Sequence, residues 1–271
     1  MMKKFVVFVL ISLFIISGCV EEKKLEFKKE AISMADNITL SNITIIDIYD
    51  NVGFDSKFKT GFGFGCIIKL KNKTILFDTG GDSPTLLANL KTAGIKPENV
   101  DIIVLSHAHG DHVGGLLGFL EKNSNVKVYV PSAFSTEFKS DIISTDAELI
   151  EVDKSIEITE GIYSTGELGT WIKEQSLIID SDKGLIVITG CAHPGITNIV
   201  KTSKELMNKN IYLVMGGFHQ PPLSTVKEFR ELGVKKTAPS HCTGDEAINA
   251  FKEEYKEDFI EGGVGKIIKA R

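Results

Sequence analysis

Hydrophobic positions along the chain gather into short apolar runs bounded by polar turns, and helical patterns fall between them. The runs predict strands at Ile43–Ile48, Cys66–Leu70, Thr74–Phe77, Ile102–Leu105, Val126–Val130, Leu177–Ile179, Leu185–Ile188, Ile211–Val214 and Gly265–Ile268. Helical spacing appears at Pro84–Thr92, Val113–Lys122, Ile196–Met207, Thr225–Leu232 and Asp245–Tyr255. Two of these stretches carry capping boxes, Thr225-Val-Lys-Glu228 and Thr243-Gly-Asp-Glu246, in which hydroxyl and carboxylate would satisfy the first free backbone donors. Strands alternating with helices, with no internal repeat or low-complexity linker, predict one α/β domain over residues 38–271.

The N-terminus follows another pattern. Lys3 and Lys4 precede an apolar run from Phe5 to Ile16, then small residues stand ahead of Cys19. The run is short for a membrane span, and the arrangement predicts a secretion signal over residues 1–18. Ile16-Ser17-Gly18-Cys19 resembles the lipobox of prokaryotic lipoproteins. That resemblance implies lipid on Cys19 and a chain anchored to the membrane outside the cytoplasm. A plain signal peptide or an anchor helix is the alternative. Residues 19–37 are polar without clean periodicity and read as a tether.

Composition narrows the class. With 42% hydrophobic residues and a net charge of −5, the 271-residue chain is expected to fold rather than stay disordered. Its 31 Lys+Arg against 36 Asp+Glu leave no basic excess, so no nucleic-acid partner is expected. All six histidines lie between positions 107 and 241. Once Cys19 is lipidated, Cys66, Cys191 and Cys242 remain, which allows at most one disulfide. Cys191-Ala-His193 and His241-Cys242 make metal proximity a competitor to that bridge, whereas Cys66, in GFGCIIKL, reads as a buried core thiol.

The sharpest chemical signal is VDIIVLSHAHGDHVGG, residues 100–115. A buried strand ends at Ser106, and His107, His109, Asp111 and His112 follow within six residues. A loop at a strand end can aim an H-x-H pair at one metal ion and the adjacent Asp-His pair at a second position. Imidazole with carboxylate suits zinc, with iron or manganese as alternatives.

HAHGDH resembles the HxHxDH signature of the metallo-β-lactamase superfamily, and the likeness extends through ILFDTGGD, GLIVITGCAHPGI, VMGGFHQPP and PSHCTGDEA. Together these blocks look like the subgroup that includes the methanogen dihydropterin–ribofuranosylaminobenzene phosphate synthase. The resemblance implies a four-layer αββα sandwich, two mixed sheets flanked by helices, and two divalent metal ions. It implies His107, His109 and His193 at a first metal position, and Asp111, His112 and His241, after the strand-like KKTAP, at a second. It also places Asp78 behind the ligands, although Asp78 suits a turn before Gly80-Gly81 as well. The chain departs from the superfamily at the bridging aspartate. There the strand Leu185–Ile188 leads into Cys191, either a thiolate ligand or a packing residue. His219 is open between a substrate-side acid, a ligand and a core histidine.

Such a site predicts a hydrolase acting on a small ester, lactone, amide or phosphodiester, with Asp111 and His219 as catalytic candidates. A transferase like the subgroup's synthase and a non-catalytic metal-binding lipoprotein are the alternatives. GFGFG, residues 61–65, lacks the context of a dinucleotide fingerprint and reads as a flexible flap or a tightly packed strand. Glu167 and Trp171 either line the pocket or are solvated and core, respectively. Substrate and oligomeric state are left open.

Overall fold

Strands that are apolar at successive positions need cover on both faces, and two sheets flanked by helices supply it. A computed structural model describes residues 39–270. The predicted signal, Cys19 and the tether at 19–37 lie outside these residues. Strands β1 (Ile43–Tyr49), β2 (Gly65–Lys69), β3 (Thr74–Phe77), β4 (Ile102–Val104), β5 (Lys127–Pro131), β6 (Glu148–Val152) and β13 (Ile267–Ala270) form one sheet. Its order is β13-β1-β2-β3-β4-β5-β6, antiparallel as far as β3 and parallel from β3 to β6. Strands β7 (Lys154–Thr159), β8 (Ile162–Gly166), β9 (Leu177–Ser181), β10 (Gly184–Thr189), β11 (Ile211–Gly217) and β12 (Lys236–Ser240) form the second. Its order is β12-β11-β10-β9-β8-β7, with β10, β11 and β12 parallel.

The strand period of two sorts each apolar run between an inner and an outer layer. Ile75 and Phe77 of β3 meet Ile186 and Ile188 of β10 in the core between the sheets. Leu76 of β3 instead packs outside, with Leu86 and Leu90 of α1 (Ser83–Thr92) and Phe119 of α3 (Leu116–Leu120). On the opposite face Leu185 and Val187 meet Ile199, Phe229 and Phe251. Those residues come from α5 (Ile196–Met207), α6 (Ser224–Glu231) and α7 (Asp245–Tyr255). The architecture is the αββα sandwich. Among the described residues no helix is long and apolar enough to cross a membrane.

Several expectations change. The helix expected over Val113–Lys122 is two pieces, α2 (Gly110–Val113) and α3. Gly114 and Gly115 sit where a Cβ would come within 2.2 Å of the carbonyl oxygens of Gly81 and Thr79, so the segment is wedged against the β3 loop. Strands β6, β7 and β8 and helix α4 (Thr136–Ile143) carry no strong apolar run. Glu and Lys interrupt β6 and β7, and β8 is buried through Ser and Thr.

Neither capping box forms. Helix α6 begins at Ser224 without a side-chain cap. The Thr243 hydroxyl donates to the Ser240 carbonyl at 2.7 Å and accepts from the Phe218 N–H at 3.1 Å. It ties the end of β11 to the end of β12 instead of capping α7.

Candidate metal centre

The parallel strands of both sheets direct their C-terminal ends to one place, where loops can converge on a ligand. β4 delivers His107, His109, Asp111 and His112. β10 delivers Cys191 and His193, β11 delivers His219, and β12 delivers His241 and Cys242. Three donor groups result, each with its ligating atoms within 4.8 Å of one another, and two of them gather the residues expected as ligands: His107, His109 and His193, and Asp111, His112, Cys191 and His241. These two adjoin, because the His107 and His112 rings lie 4.3 Å apart between centroids.

The hydrogen bonds behind the rings decide which nitrogen faces inward. The carboxylate of Asp78, fully buried, accepts from the Ser106 N–H through Oδ1 at 2.7 Å. Its Oδ2 accepts from the Ser106 hydroxyl and from His112 Nδ1–H, both at 2.7 Å. With its proton committed to Asp78, Ser106 Oγ accepts from His107 Nδ1–H at 2.9 Å. One carboxylate therefore sets the tautomer of a histidine in each group and leaves both Nε2 lone pairs bare. His241 is set similarly, its Nδ1–H donating to Asn51 Oδ1 at 3.0 Å.

These inward atoms fit a cation. His107 Nε2 and His109 Nδ1 approach to 3.1 Å. His193 Nε2 is buried without a hydrogen-bond partner. In the second group Cys191 Sγ lies 3.2 Å from His112 Nε2 and 3.5 Å from His241 Nε2, and Asp111 Oδ2 lies 3.3 Å from His241 Nε2. Imidazoles with a carboxylate and a thiol are a donor set suited to zinc.

Electrostatics agree with this fit at His107, His193 and Asp111. Burial and the neighbouring imidazoles hold His107 well below the usual histidine range, and burial with His219 and His109 brings His193 down to about 4. Both rings are neutral donors at neutral pH. Burial would raise Asp111, but the His241 hydrogen bond and the His112 charge outweigh it and bring the carboxyl to about 2. His112 moves up despite its burial, because Asp78 and Asp111 favour its charged form.

Glu174 is a residue that the motifs do not reveal. It is fully buried, and its carboxylate accepts three successive backbone N–H groups, from Cys191 at 3.0 Å and from Ala192 and His193 at 2.8 Å each. It shapes the turn that aims Cys191 and His193. Burial pushes its pKa up to about 7, against the pull of those donors. Ser106 and Asn51 were likewise invisible as positioning residues. For Glu174 and Asn51 the only signal is proximity in the fold, since the residues they support are distant in sequence, and Ser106 owes its role to Asp78, 28 residues away.

Backbone strain also concentrates here. Asp78, Ala192, His219 and His241 have φ of 53°, 66°, 53° and 50°, the left-handed region that side chains disfavour and functional sites often retain. His219 is exposed, which overturns its reading as a core histidine, and its ring lies 4.3 Å from that of His193. Trp171 is 98% exposed, so it is no core residue, and the Glu167 carboxylate accepts from the Ala133 N–H at 2.6 Å. The GFGFG stretch is tightly packed. A Cβ on Gly63 would fall 2.2 Å from the Asp111 carbonyl, and Phe64 is fully buried. Phe62, 72% exposed, stands 5.7 Å from the His241 ring at the rim. Cys66 is buried, and Cys66, Cys191 and Cys242 are all free thiols.

Comparisons with known proteins place the chain in a family. A family profile described as the metallo-beta-lactamase superfamily matches residues 62–203. The chain is 32% identical to the 7,8-dihydropterin-6-methyl-4-(beta-D-ribofuranosyl)-aminobenzene-5'-phosphate synthase of Methanocaldococcus jannaschii, over 88% of this chain and 98% of that protein. It is 44% identical to a metal-dependent hydrolase of Bacillus mycoides, over 75% and 92% of the two chains. Among solved structures, Tm1679, a metal-dependent hydrolase of the beta-lactamase superfamily, superposes with a TM-score of 0.70 at 27% identity, covering 83% and 98%. Profile, relatives and architecture lead to one statement: this chain is a member of the metallo-beta-lactamase superfamily.

Proposed function

We propose that the protein is a metal-dependent hydrolase of small esters, lactones, amides or phosphodiesters. The observation that carries this reading is the pair of adjoining donor groups, each with its ligating atoms within 4.8 Å of one another, together with a buried His193 Nε2 that has no hydrogen-bond partner. His107, His109 and His193 would hold one divalent cation, and Asp111, His112 and His241, with Cys191, a second. Cations held there supply Lewis acidity, making water nucleophilic at neutral pH and polarising a substrate oxygen.

The chain's own residues do the rest. Asp111, ionised down to about pH 2, accepts a hydrogen bond from the attacking water and orients it. Asp78 and Glu174 keep the ligands rigid, so little reorganisation is needed as charge develops. A cavity of about 260 Å³ lined by His193, Phe218, His219, Gln220 and Pro221 gives a small substrate room beside the nitrogen group. A larger cavity of about 620 Å³, among Lys73, Asp101, Lys127 and Glu148, lies at the opposite ends of the strands and contains none of the donors. The substrate belongs at the smaller one. In this proposal the export signal read at residues 1–18 puts the reaction outside the cytoplasm.

A second reading, a transferase similar to the dihydropterin synthase, is favoured by 32% identity across 98% of that relative. A panel of chromogenic esters, lactones and phosphodiesters, offered to the metal-loaded protein, separates the two. Turnover of at least one class, abolished in His109→Ala/His112→Ala, is expected. No turnover of any class, together with conversion of dihydropterin and aminobenzene phosphate compounds, would establish the transferase instead.

A further inference from the structure

Cys191, His219 and Cys242 each stand two residues beyond the end of a strand, β10, β11 and β12, and these strands are parallel neighbours. The three side chains consequently meet. Cys191 Sγ, Cys242 Sγ and a ring nitrogen of His219 lie within 4.8 Å of one another. The loops that present them are fastened together, the Gln220 N–H donating to the Cys242 carbonyl at 3.1 Å and the Phe218 N–H to the Thr243 hydroxyl. His219 is held in its left-handed conformation between those two bonds.

We propose that these residues form a third metal position, selective for a thiophilic divalent cation of the zinc type. Two thiols and one imidazole are softer than either of the other donor groups, which rest on imidazole with at most one carboxylate and one thiol. Three protein donors leave a fourth coordination place open, and the exposure of His219 turns that place towards solvent and the cavity beside Pro221. Cys191 faces two ways. Its sulfur lies 3.2 Å from His112 Nε2 and also belongs to the Cys242 group, so a single thiolate would bridge the second and third positions. His219 then acts as a ligand, which resolves a role that the sequence leaves open. Binding takes both sulfurs as thiolates, any displaced thiol proton passing to solvent, and no redox change takes place.

The proposal rests on the metal-centre reading, and cobalt(II) titration of the chelator-stripped, reduced full chain separates the two. Cobalt bound to thiolate absorbs in the near ultraviolet, so the titration reports both equivalents bound and sulfur ligation. The wild type is expected to take up three equivalents. Cys242→Ser and His219→Ala are expected to take up two, with the thiolate band weakened in Cys242→Ser. Cys242→His, which restores a donor, is expected to return to three equivalents with the weaker band. Near-ultraviolet circular dichroism identifies a variant that fails to fold, and His219→Ala, an exposed site, then carries the comparison. Two equivalents in the wild type, or three in both Cys242→Ser and His219→Ala, would overturn the third position alone. Uptake of none would overturn the metal centre itself.

Discussion

Asp78→Asn is expected to strip metal from both of the principal donor groups while leaving the fold in place. The amide has the volume of the carboxylate, so the Ser106 N–H keeps its acceptor at Oδ1. The atom now at the Oδ2 position is an NH2 group, facing the Ser106 hydroxyl and His112 Nδ1 at the 2.7 Å spacing of the native bonds. It can only donate. His112 Nδ1 must then accept, and the proton moves to Nε2, where it points at Cys191. Ser106 turns its hydroxyl to His107 Nδ1, which moves the His107 proton to Nε2 as well. Loss of such a supporting bond costs about 10–100-fold in metal affinity, and here one substitution disturbs a ligand in each group. Elemental analysis after dialysis against a competing chelator checks it. Metal retained at the wild-type level would refute the assignment of Asp78 as the residue that sets both tautomers.

Glu174→Ala is expected to be the most destabilising substitution at the site. It leaves the N–H groups of Cys191, Ala192 and His193 buried without their acceptor. Each stranded donor costs roughly 1–3 kcal/mol, so the total is on the order of 3–6 kcal/mol even with some relaxation. For a domain of this size that lowers the melting temperature by about 10 °C or more. The pH dependence has a definite sign. Because folding raises this carboxyl from its ordinary value of 4.5 to about 7, the folded state holds the proton more tightly than the unfolded state. The contribution of Glu174 is therefore fully present below pH 4.5 and is lost as pH rises through 7 in the metal-free protein. The variant should lack that slope. Thermal unfolding in chelator across pH 4–8 measures both effects, and an unchanged melting temperature at pH 5 would contradict the role of Glu174.

The two substitutions also mark how far the sequence could be read. Nine strands, four helices at close to their observed bounds and the cluster of His107, His109, Asp111 and His112 were legible, because apolar runs and an H-x-H-x-D-H spacing are local signals, whereas the role of His219 stayed open. Strands β6 and β7 were illegible because charged side chains interrupt them, and β8 because its burial is carried by Ser and Thr. Glu174 carries no local signal, since its partners begin 17 residues away on the far side of a β-hairpin. The relation of Cys242 to Cys191 and His219 arises only when β10, β11 and β12 lie side by side.

In the proposed function, the donor atoms of His107, His109 and His193, and of Asp111, His112 and His241, would hold divalent cations. Anomalous-difference maps from crystals of the zinc-loaded protein, recorded on both sides of the zinc absorption edge, test it directly. Edge-dependent peaks within each of these two groups are expected. Maps from fully loaded crystals with no peak in either group, or with zinc only at surface carboxylates, would contradict it.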